Sequence, residues 1–179
     1  MTYNEKKPIG EGEKYMGKAS VRENKNIYFR TREELGLTRE QAGDLFETIT
    51  PERIEKIENE RALAHPDEVI KMAECYKSPH LCNYYCANEC PIGQKYIPEI
   101  EVQSLSQIIL STIDSLNHLN EQKNRLIEIT ADGKITPDEY GDLKAIDEQL
   151  SQMLLSINGL QLWLEKAIAV GDIDSNLFK

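Results

Sequence analysis

The chain has 179 residues, with 31 acidic side chains against 21 Lys and Arg, and a formal net charge of −10, the sign opposite to the one phosphate binding favours. It holds no P-loop, dinucleotide-binding glycine motif or nucleophile elbow, and His65, His80 and His118 stand far apart in sequence, so an enzyme is not expected. No apolar run is long enough to span a bilayer and none opens the chain as a signal peptide, so the expectation is a cytoplasmic protein without membrane contact, its four cysteines reduced or metal-bound.

Residues 1–23 are polar, with Gly10, Gly12 and Gly17 among scattered lysines, and are expected to form an N-terminal arm. Residues 24–77 read as a domain of short helices. The run from Asn26 to Leu35 predicts the first, burying Ile27, Phe29 or Tyr28, and Leu35, and ending at Gly36. Thr38 then caps a second helix, with Gln41 completing a capping box. Thr50 caps a third, with Pro51 at the first helical position, where no amide donor is missed. Ala42, Leu45 and Phe46 give the second helix an apolar side. Ile54 and Ile57 give the third a narrow one and leave Glu52, Arg53, Glu55 and Lys56 outward. His65-Pro66 breaks the chain, and from Asp67 another helix buries Val69, Ile70 and Ala73. Two short helices in tandem with a supporting helix after them suggest a helix-turn-helix.

The residues carry a resemblance as well. ELGLT at Glu34–Thr38, IEKIEN at Ile54–Asn59 and HPDEVIKMAECY at His65–Tyr76 make the stretch Phe29–Tyr76 similar to the Cro/C1-type (XRE) helix-turn-helix domain. The longer likeness is to a group of that family with a cysteine-rich segment and a C-terminal helical tail. The resemblance implies an all-α domain of four to five short helices, sequence-specific binding of double-stranded DNA, and a homodimer. It assigns DNA contacts to Arg39, Thr50, Glu52, Arg53 and Lys56, with Arg53 reading guanine and Glu52 accepting from cytosine. Lys25, Arg30, Arg32 and Arg61 are its phosphate contacts. Three departures stand out. The turn between the two motif helices is one residue longer than the family's usual turn, Gly43 replaces its usual alanine, and the outward face of the third helix is acidic. The acidic face motivates a rival: a protein-interaction module that keeps the fold without DNA binding.

Residues 78–98 form a connecting segment. With Cys75 it holds all four cysteines, spaced C-x6-C-x3-C-x3-C. Three readings apply: buried structural thiols; zinc or iron–sulfur ligands drawn from Cys75, Cys82, Cys86 and Cys90; or a redox-sensitive pair such as Cys82 with Cys86 or Cys90. In the last two the segment would act as a sensor of metal or redox state.

Residues 99–170 carry two long apolar stripes. The first runs through Val102, Leu105, Ile109, Thr112, Leu116, Leu119 and Leu126, and the second through Leu143, Ile146, Leu150, Met153, Ile157, Leu160, Leu164 and Ala167. TADGKITPDE joins them, with Thr136, Pro137 and Glu139 set to start the second helix. The prediction is an antiparallel coiled-coil-like hairpin about 40 Å long, with spare apolar surface for a second subunit or an acidic surface for a protein partner. Residues 171–179 read as a tail.

Overall fold

The computed structural model describes residues 25–178; the predicted arm, residues 1–23, lies outside the described residues. The described chain is all-α. Four short helices come first: α1 (Ile27–Glu34), α2 (Arg39–Phe46), α3 (Pro51–Glu58) and α4 (Pro66–Cys75). Then α5 (His80–Asn88) and the single turn α6 (Gly93–Tyr96) lead into the long pair α7 (Leu105–Thr130) and α8 (Tyr140–Val170). None of the described helices is long and apolar enough to cross a membrane.

The short helices start where cap chemistry puts them. The Asn26 side chain accepts from the Phe29 amide, Thr38 and Gln41 make both bonds of a capping box, and Thr50 accepts from the Arg53 amide ahead of Pro51. Gly36 closes α1 with φ of +67°, a conformation that costs glycine nothing. Helices this short are not stable alone, so their shared core decides the matter. That core gathers Tyr28, Ala42, Phe46, Ile49, Ile54, Ile57, Val69, Met72, Ala73 and Tyr76. Burying a side chain such as Phe46 or Ile54 is worth roughly 1.5–3 kcal/mol. Leu35, Leu45 and Ile70, expected inside, are instead exposed, because an eight- or ten-residue helix turns only a narrow stripe inward. The core also runs past residue 77: Leu81 is fully buried in it, and Cys82 and Tyr85 pack against it. α5 is therefore part of the first packing unit and not a loose connector.

Gly43 has a physical reason. A Cβ there would sit 3.0 Å from Cδ of Pro51, so the bare glycine lets the start of α3 lie against α2. Gly93 is under a harder constraint: its Cβ would fall 2.0 Å from the Cys86 carbonyl oxygen, so α5 and α6 approach at a distance only glycine permits.

α7 and α8 form the expected hairpin, ending at Gly171 with φ of +90°. Of the expected capping box, the Thr136 amide bonds the Glu139 carboxylate, but the Thr136 hydroxyl donates to that carboxylate and the Glu139 amide goes to the Thr136 carbonyl, so regular helix starts later, at Tyr140. The seam is also displaced. The buried and half-buried residues of α7 are Ile108, Thr112, Ser115, Leu119, Gln122, Leu126 and Ile129, in steps of four and three. Thr112, Leu119 and Leu126 belong to the expected stripe. Leu105, Ile109 and Leu116 do not enter the seam and remain exposed.

Candidate nucleic-acid interface

α2, the turn Glu47–Thr50 and α3 are held by two ion-pair clusters on the inner side of α3. Glu58, at its C-terminal end, is 1% exposed. Arg32 of α1 grips it with two bonds, of 2.5 and 3.0 Å, and gives a third to the Leu37 carbonyl at 2.6 Å. Arg39 of α2 reaches the same carboxylate at 2.7 Å. Burial works against the Arg32 charge, but the bonds to Glu58 outweigh it and hold its pKa above the usual guanidinium range. One glutamate thus ties three helices together. The Asn26 side chain adds a bond to the Ile57 carbonyl.

The second cluster joins α3 to α4. Arg53 meets Glu68 through two bonds of 2.6 Å and also donates to the Leu63 carbonyl. Glu68 Oε2, which accepts from Arg53 Nη2, also takes the His65 amide, closing the cap of α4. Burial alone would raise the Glu68 pKa. The bonds from Arg53 and His65 overcome that and set it below the usual carboxylate range.

These clusters redistribute the side chains assigned from sequence. Arg32 is buried in a salt bridge and cannot touch a phosphate. Arg39 and Arg53 are engaged with Glu58 and Glu68, which turns Arg53 away from any base edge. Lys25 pairs with Glu33 and lies 4.6 Å over the Phe29 ring. Arg30 is exposed, but beside His80, Tyr84 and residues 99–102, away from α3. Arg61 is largely exposed and only loosely paired with Glu55, at 3.4 Å. Of the five base-contact residues, Thr50, Glu52 and Lys56 remain on the open side.

That side is acidic. Glu40, Asp44, Glu47 and Glu52 are exposed on α2, the turn and the start of α3, against the exposed cations Lys56 and Arg61; Glu60 is exposed too, but its charge acts on Tyr84 and Glu89. Two of the carboxylates have a local cause: Glu40 and Glu52 are held low in pKa, each by its own backbone amide and then by the threonine capping its helix. They serve as first-turn anions of α2 and α3, where the helix dipole favours negative charge. Sequence reasoning missed Glu58 and Glu68 as organisers, since their partners lie 26 and 15 residues away and no local pattern announces them.

The cysteines do not converge. Among the described residues, no group of three or more His, Cys, Asp or Glu is placed to hold a metal ion. The Cys75 thiol donates to the Leu45 carbonyl at 3.5 Å. Cys82 packs against the core, and burial raises its pKa, as does the neighbouring Cys86. Cys90 Sγ accepts from the Gly93 amide. All four are free thiols, so the candidate pairings of Cys82 with Cys86 or Cys90 are unmade here.

Comparison with known protein families, curated proteins and solved structures finds no match. The likeness to Cro/C1-type domains rests on the residues quoted above.

Proposed function

We propose that the chain is a sequence-specific DNA-binding regulator whose groove-reading helix is α3. The observation that carries this is the α2–turn–α3 unit. Both helices are capped, α3 is fixed through its inner side by Arg32, Arg39 and Glu68, and its outward side carries Glu52 in the first turn and Lys56 in the last, behind the capping Thr50. A helix held this way can enter a major groove without first being ordered. Lys56 supplies a donor for guanine or phosphate, Thr50 a hydroxyl, and Glu52 an acceptor suited to a cytosine amino group. Arg61 is the nearest exposed cation for the flanking phosphate backbone.

The acidic open side favours a second reading. With Glu40, Asp44, Glu47 and Glu52 around Lys56, the same surface suits a basic protein segment. Selection from a random duplex pool separates the two. A regulator enriches a defined site, its affinity falls steeply with salt, and Lys56→Ala abolishes enrichment. No enrichment at low salt from folded protein overturns the DNA reading in favour of a protein partner.

A further inference from the structure

α7 turns a poor face to α8. It buries Ser115 and Gln122 in the seam, with the Gln122 carbonyl oxygen buried and without a hydrogen-bond partner, while Ile109, Ile113 and Leu116 stay outside. α8 leaves Leu150, Leu154 and Ile157 outside. All six are 39–51% exposed. Stepping about 100° per residue round two antiparallel helices puts both trios on one side of the hairpin. The opposite side, with Ser111, Gln152 and Gly159, is where the linker Glu99–Gln103 runs. The apolar side totals on the order of 500 Å² of side chain per chain, the size of the largest patch on a typical monomer, which is often a functional one.

The register of the hairpin says what fits there. Arg125 pairs with Asp142, and Gly159 lies against Ile108. On that register Ile109 is level with Ile157, Ile113 with Leu154, and Leu116 with Leu150. A second copy turned by a two-fold axis along the hairpin would therefore lay each α7 residue on its α8 partner in three aliphatic layers. The stripes reach charged residues beyond these layers at Lys123 and Asp147, about one turn apart in level and of opposite sign. Each α7 would run antiparallel to the α8 it meets, as in an antiparallel four-helix bundle.

We propose that this face is the interface of a homodimer, an antiparallel four-helix bundle with its two-fold axis along the hairpins. Two such faces with their rims bury roughly 1,200–1,600 Å², the size of a stable protein interface. Both first domains would lie at the same end of the bundle, whether or not they bind DNA.

Sedimentation equilibrium of the full chain tests this. Wild type is expected at twice the 20.5 kDa chain mass. Leu154→Glu should weaken association about 100-fold or more by burying a carboxylate, with unchanged helicity because residue 154 is exposed in one chain. Leu110→Glu, on the outward side of α7, should leave the dimer intact. Lys123→Asp should cost two- to fivefold, and adding Asp147→Lys should restore it. A monomeric wild type, or a dimer that Leu154→Glu leaves whole, overturns the proposal. A dimer split by Leu154→Glu but not rescued by the charge exchange overturns the axis assigned to it.

Discussion

Arg53 lies flat against Glu68, Nε to one carboxylate oxygen and Nη2 to the other, both at 2.6 Å, so the most obvious base-reading side chain of α3 is a brace to α4. Arg53→Ala is expected to cost roughly 1–3 kcal/mol of stability. At temperatures where the variant is folded, it should not change which DNA sequence is selected. Lysine cannot make the forked pair, so Arg53→Lys should recover only part of the loss. Urea denaturation with parallel duplex selection checks both; a relaxed preference at one base pair would return Arg53 to the groove.

Glu58 sits under heavier constraint. Its replacement by Gln removes the charge that Arg32 and Arg39 share, and Arg32 has no water to turn to. The expected loss is roughly 3–5 kcal/mol, read as a lower denaturation midpoint at unchanged slope. A loss below 1 kcal/mol would mean that the cluster relaxes to solvent.

The backbone offers a pair of opposite outcomes. Glu47 ends α2 with φ of +61° and ψ of −31°, where a side chain is strained. Glu47→Gly should raise stability by about 1 kcal/mol. Gly93→Ala should lower it by about 3 kcal/mol or more, since backbone of α5 occupies the position of the new methyl group. Thermal unfolding of the two variants beside wild type decides the matter.

His80 gives a pH dependence. Its Nδ1 is buried without a hydrogen-bond partner, and burial, then Lys166, push its pKa below the ordinary 6.5, against an opposing pull from Glu34 and with a further push from Arg30. The unfolded chain thus binds this proton more readily. Stability from His80 is complete above pH 6.5 and is lost as pH falls from there towards the folded value. Denaturation midpoints between pH 8 and 5 should decline, and His80→Gln should flatten that decline. A rise in stability over the same interval would contradict the burial argument.

What could be read from the chain in advance was local. Thr38, Thr50, Gly36 and Gly171 mark helix ends through chemistry within a few residues, and the structure puts the ends there or close by. Ala42, Phe46, Ile54 and Ile57 repeat at helical spacing and are buried. What could not be read was anything decided across the fold. The arginines were placed on DNA by position in a motif, whereas their acidic partners come from other helices. The α7 seam is a related case: it takes Thr112, Leu119 and Leu126 from the stronger apolar stripe, but fills the remaining positions with residues such as Ser115 and Gln122 and leaves Leu105, Ile109 and Leu116 outside. The cysteines looked like a ligand set because they cluster in sequence. In space Cys75 ends α4, Cys82 and Cys86 ride α5, and Cys90 caps the turn into α6.

Between the two halves of the chain stands Asn83 of α5. Its side chain donates to the Pro98 carbonyl and accepts from the Ile100 amide, at 3.0 and 2.9 Å. A flipped amide would set donor against donor at one end and acceptor against acceptor at the other. The linker is consequently keyed to polarity as well as shape. Aspartate and leucine match asparagine in size yet lack one or both halves of the code, so neither would preserve the path by which the chain leaves its first core.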